Sequence, residues 1–149
     1  MSRLFRKYWT IFTVGLLVLR VRVLLRFLSL PHALGVLEPG SGRSRSIGLP
    51  LEDLIYYIDR WLLLFPYNVK GNCFPRSVAL YRCARRAGYP VRLHCGVRKS
   101  NGTLDGHAWL TLDGSPFHEL SRQWQQFTVT FSYPVEPSSS TAREQSAHG

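Results

Sequence analysis

Residues 71–88 read GNCFPRSVALYRCARRAG, and the fold follows from how that stretch begins and ends. The Gly-Asn pair forms a turn, and Pro75 fits the first turn of a helix, where its missing N–H costs nothing. Gly88 and the extended Tyr89-Pro90 dipeptide stop the helix. The spacing therefore predicts a helix over Cys73–Ala87 with a cysteine at its mouth. Beyond it the texture changes. VRLHCGV (91–97), GHAWLTL (106–112), SPFHEL (115–120) and WQQFTVTFSY (124–133) are short, β-rich and separated by the turn signals KSNG and DG. Helices first, then an antiparallel sheet, is an α+β layout.

Upstream, Leu51, Leu54, Ile55, Ile58, Trp61, Leu62 and Phe65 recur at helical spacing, with Glu52 and Asp53 in the first turn and Pro66 closing the run. This predicts a core-facing helix whose aromatic stripe needs no cofactor. Residues 38–50, EPGSGRSRSIGLP, have the composition of a linker. The chain thus divides into a basic helical segment with linker (1–50), a helix-and-sheet core (51–135) and a polar, Ser-rich tail (136–149) expected to be disordered.

The charge is uneven. Of the net +10, residues 1–50 hold +7, with Glu38 their single acid. That excess suits an acidic partner or an anionic surface and says little about fold. The apolar run Tyr8–Leu19 is 12 residues, too short to cross a bilayer, and Arg20, Arg22 and Arg26 interrupt its continuation. A long helix packed on the domain is expected; a basic helix on a membrane surface or a partner is the alternative. Three cysteines make no disulfide framework, and no cleavable signal peptide is recognisable. A reducing cytoplasm is the expected setting, with membrane association as the variant that the N-terminal helix allows.

Cys73 carries the chemical interest. A thiol at a helix N-terminus feels unpaired N–H groups and the positive end of the macrodipole, and both favour thiolate. The same N–H groups suit the oxyanion of a tetrahedral intermediate. A base is needed; with His32 and His148 in the terminal segments, His94, His107 and His118 remain. His107 shares one strand face with Trp109 and Thr111, while Ala108, Leu110 and Leu112 form the apolar core face. The third member should be an acceptor that orients the imidazole. Asp113 sits in the Asp-Gly turn, six residues or about 20 Å away at strand rise. Glu119 lies on the returning segment. A two-residue turn pairs Leu112 with Ser115 and sets Glu119 on the core face; a three-residue turn pairs Leu112 with Pro116 and sets it beside His107. An ionised Glu on the apolar face is expensive, so the longer or bulged turn is favoured, with Glu119 first and Asp113 second. No metal site and no cofactor are expected. His94 and Cys95 are adjacent on a strand and point oppositely, and no ligand pair has zinc spacing. Cys83 and Cys95 read as core residues.

This order, a Cys at a helix mouth, then a His strand, then an acid, resembles the transglutaminase-like, papain-related core. More narrowly, CFPRSVALYRCARRAGYPVRLHCGVRK and GHAWLTLDGSPFHEL look like the leader peptidase of lasso-peptide biosynthesis, the C-terminal half of the maturation protein B family. The resemblance spans Cys73 to Leu120. It implies a cysteine endopeptidase that removes the leader of a ribosomally made precursor, with Cys73 as nucleophile, His107 as acid–base and Glu119 or Asp113 orienting it. It also implies partners: the leader region of the precursor, a separate leader-recognition protein and a lasso cyclase acting on the product. A transglutaminase-like acyltransferase uses the same triad. A non-catalytic basic binding module is the competitor from another class, although the arginines lack the aromatic platform or helix-turn-helix of a nucleic-acid binder.

Overall fold

A computed structural model describes residues 3–40, 49–65, 71–119 and 122–135. Four helices precede a four-stranded sheet: α1 (Arg3–Phe27), α2 (Leu30–Leu37), α3 (Leu51–Leu63), α4 (Cys73–Arg86), then β1 (Arg92–Ser100), β2 (Thr103–Leu112), β3 (Ser115–Pro116), a 3-10 turn (Arg122–Gln126) and β4 (Thr128–Tyr133). The sheet is antiparallel throughout, in the order β3-β2-β1-β4. The α+β expectation holds. Pro66 and the 136–149 tail fall outside the described residues, as does most of the expected linker.

One core serves all the helices and one face of the sheet. Val14, Val18 and Val21 of α1, Leu34 and Leu37 of α2, and Leu54, Ile58 and Leu62 of α3 meet Val78, Leu80 and Tyr81 of α4 with Leu93, Ala108 and Leu110 of the strands. The spacing on α1 and α3 is that of a single buried helix face. α1 and α3 approach closely because position 15 is glycine: a Cβ there would lie 2.5 Å from the Trp61 ring. That closeness brings the Trp61 Nε1–H to the carbonyl of Ile11 at 3.0 Å. α1 therefore packs on the domain, as expected, but Pro31 begins a separate short helix that periodicity does not separate from it. Glu38 is also no linker residue. It accepts the Tyr81 hydroxyl at 2.8 Å and pairs with Arg85 at 3.0 Å, closing α2 onto α4.

Two sequence expectations about the sheet need correction. The segment 115–120 is a strand only at Ser115 and Pro116, and 124–133 is a strand only from Thr128. The first stops where His118 takes a left-handed φ of 49°, just past the last bond to β2. In the second, Trp124 to Gln126 turn instead to roof the sheet. The other correction concerns the Asp113-Gly114 turn. Leu112 pairs with Ser115, so it is the two-residue turn, with both residues at positive φ, as the twist of a tight hairpin demands. The longer turn is not formed.

Candidate active site

Cys73 is the first residue of α4, with Asn72 before it. The Asn72 side chain does not cap the helix. It reaches sideways, donating to the Leu62 carbonyl and accepting from Arg22, both at 3.4 Å. The first-turn N–H groups thus have no side-chain cap from Asn72, and Pro75 has none to satisfy. The Phe74 N–H faces the thiol.

α4 lies against the outer edge of β2. The buried Ser77, one turn below Cys73, donates its hydroxyl to the Ala108 carbonyl at 2.8 Å. The Cys73 sulfur receives the Ala108 N–H. Helix side chains thereby occupy an edge that the two-residue β3 leaves without a strand partner. This fixes the thiol one residue away, in sequence, from the imidazole it must meet.

His107 hydrogen-bonds Cys73 and, through Nε2, the Glu119 carboxylate at 3.2 Å. With Nε2 engaged there, Nδ1 is the nitrogen left for the thiol. Burial pushes the Cys73 thiol up, but the His107 hydrogen bond, the Ala108 N–H, the imidazolium charge and the Phe74 N–H outweigh it, and its pKa falls below the ordinary 9.0. His107 moves the other way, pushed up to about 9 by its bonds to Cys73 and Glu119 and by their charges, against burial. A thiolate–imidazolium pair is the form these shifts favour.

Glu119 reaches His107 by a route the strand reasoning did not contain. The Phe117 N–H bonds the Leu110 carbonyl at 2.9 Å, and then the chain leaves β2 as His118 takes a left-handed φ of 49°. That turn swings Glu119 to the His107 face despite the short hairpin. Arg76 holds the bend, donating to the His118 carbonyl at 3.1 Å while gripping Asp59 of α3 at 2.7 Å. The Glu119 side chain is 7 % exposed, so its charge is paired rather than solvated. Asp113 stays in its turn at the far end of β2.

Aromatic rings surround the imidazole. The His107 imidazole stacks on Trp109 at 5.8 Å and leans on Phe127 at 5.2 Å, while Trp124 covers Trp109. So the face of β2 that carries His107 is buried as well, with Trp109 2 % exposed. Gly96 makes room. It pairs with His107 across the sheet, and a Cβ would lie 2.8 Å from the Thr128 carbonyl and 3.0 Å from Trp109.

The remaining thiols and histidines have other duties. Cys83 and Cys95 are buried, with pKa values pushed up to about 11 and about 12 by burial first, which keeps them as inert thiols. His94 is strung between the hydroxyls of Ser132 and Thr111 at 2.7 and 2.8 Å. Burial and Arg92 hold its pKa below the ordinary value, so it bridges three strands as a neutral ring. Among the described residues no His, Cys, Asp and Glu cluster could hold a metal.

Of the expected residues, Cys73, His107 and Glu119 come together and Asp113 does not. Ser77 and Gly96 were missed. Only the register of β2, which the sequence leaves open, puts them beside the site.

Sulfur at a helix mouth, imidazole on the second strand and a carboxylate behind it form the arrangement of a cysteine-dependent acyl-transfer core. The model of the transglutaminase-like superfamily matches residues 15–132, and the chain belongs to that superfamily, whose members are in general cysteine-dependent enzymes. Comparisons with curated proteins and with solved structures find no match.

Proposed function

We propose that this protein is a cysteine endopeptidase that cuts the leader from a ribosomally made lasso-peptide precursor, presented by a separate leader-recognition protein. The observation that carries the catalytic half is the Cys73–His107–Glu119 chain of contacts, with the thiol pKa lowered and the imidazole raised. The substrate half rests on the resemblance of Cys73 to Leu120 to lasso leader peptidases.

The thiolate of Cys73 attacks the scissile carbonyl, and the Cys73 N–H with a neighbouring donor receives the oxyanion. His107 then gives its proton to the leaving amine, which is the new N-terminus of the core peptide. A thioester remains on Cys73. Water, deprotonated by His107, releases the leader as a carboxylate. Glu119 keeps the ring oriented and compensates its charge. A cyclase acting on the freed amine is the expected next partner.

The test is mass spectrometry of a lasso-type precursor incubated with this protein and its recognition partner. A cut at the leader–core junction that vanishes with Cys73→Ala is expected. Transfer of the leader acyl group to an added amine, instead of its hydrolysis, would move the assignment to an acyltransferase. Equal cleavage by both forms would remove Cys73 from the chemistry.

A further inference from the structure

α1 has two apolar faces, and among the described residues only one of them is packed. Val14, Val18 and Val21 point into the core. On the opposite side Trp9, Phe12, Leu16, Leu19, Val23 and Phe27 succeed one another at intervals of three and four residues, a continuous stripe along the helix. They are exposed, from 47 % at Leu19 and Val23 to 77 % at Phe27. The stripe runs about 27 Å at helical rise. Isolated surface apolar residues need no explanation, but a contiguous ridge of this size does.

Its borders are cationic. At 100° per residue, Arg6 and Arg20 flank the stripe on one side and Arg22 and Arg26 on the other, and α1 contains no acid. Arg82 of α4 feels the charges of both Arg20 and its own neighbour Arg86, so the positive field extends from the helix onto the domain. Arg22 is half committed inward, through Asn72 and the Phe65 ring at 4.7 Å. A second copy of the chain is a poor occupant, since pairing these stripes brings arginine rows against arginine rows with no acid between them. A ridge along the outside of one helix is convex, which suits a broad, deformable, negatively charged surface. Arginines beside an apolar stripe can bury their stems and leave the guanidinium at the level of lipid headgroups. No described helix is long and apolar enough to cross a membrane, so the contact is one of lying on the surface.

We infer that the outer face of α1 docks this protein on an anionic lipid bilayer, with Trp9, Phe12, Leu16, Leu19, Val23 and Phe27 in the interface and Arg6, Arg20 and Arg26 at the phosphates. The contact is independent of the peptidase assignment, because none of these side chains belongs to the site.

The experiment is co-sedimentation of the full-length protein with vesicles of phosphatidylcholine alone and of phosphatidylcholine with phosphatidylglycerol. Binding to the anionic vesicles, falling with added salt, is expected. Phe12→Ser combined with Leu16→Ser should reduce partitioning on the order of tenfold. Both positions are solvent-facing, so the variant should keep its circular dichroism and melting temperature. The wild-type salt titration stands even if that variant misfolds. Equal binding to neutral and anionic vesicles overturns the role of the arginines. Absence of binding overturns the docking itself: with dimers in light scattering the stripe is covered by a second copy, and with monomers by another protein or by the chain's own remaining residues.

Discussion

The buried hydroxyl of Ser77 donates to the carbonyl of Ala108 at 2.8 Å, joining the helix that carries Cys73 to the strand that carries His107 one residue from the imidazole. Replacing Ser77 with Ala leaves that carbonyl without its donor. The expected loss is about 1–2 kcal/mol of stability, read by denaturant titration. The turnover of a cleavable precursor should fall on the order of tenfold, because thiol and ring lose their common anchor.

The thiolate–imidazolium pair makes activity a function of two titrations. Cys73 is lowered and His107 raised, so the pair exists between the two pKa values. Cleavage should rise as pH passes the Cys73 value, below 9.0, and fall again near about 9, where His107 loses its proton. The sign for stability agrees for His107: its contribution is full below about 6.5 and is lost as pH rises through about 9. Glu119→Gln removes a charge that favours imidazolium, and it should move the alkaline limb to lower pH.

Arg76 acts on Glu119 through the backbone. It spans from Asp59 to the His118 carbonyl, holding a left-handed residue that nothing but its surroundings keeps there. Lysine cannot reproduce the two-sided guanidinium contact. Arg76→Lys should lower kcat several-fold with little change in KM and shift the alkaline limb in the same direction as Glu119→Gln. A lower melting temperature with an unmoved pH profile would reduce Arg76 to a structural brace.

Thiol chemistry distinguishes the three cysteines without any substrate. Iodoacetamide at neutral pH should label Cys73 first, with Cys83 and Cys95, pushed up to about 11 and about 12, reacting only on unfolding. Peptide mapping by mass spectrometry reads the order directly.

Gly96→Ala tests the crowding opposite His107. The added Cβ meets a backbone carbonyl, that of Thr128, and the Trp109 ring, so the strand must move. A cost of about 1–3 kcal/mol is expected, measured as a lower melting temperature.

The α4 boundaries were legible because Pro75, Gly88 and Pro90 act locally, and the sheet was legible because its strands alternate. His107 and Cys73 could be chosen from placement and residue type. The path of Glu119 could not. Hairpin register alone sets it on the core face, and the preference for a longer turn reached the right neighbour by the wrong geometry. What brings Glu119 to His107 is the positive φ of His118 and the reach of Arg76 from another helix. Both are tertiary, and neither leaves a mark in the strand pattern. The outer stripe of α1 was visible as hydrophobicity, but only packing shows which of its two apolar faces the domain uses.

The sulfur of Cys73 also accepts the Ala108 amide at the uncovered edge of β2, which bears on the design of a substrate-trapping variant. Alanine at position 73 removes the proposed nucleophile and, at the same stroke, strands a main-chain donor, so a weakened complex would mix lost chemistry with a loosened scaffold. Serine keeps an acceptor in place with a far less reactive oxygen. A Cys73→Ser protein that melts like the wild type yet holds uncleaved precursor is the form suited to capturing the bound peptide.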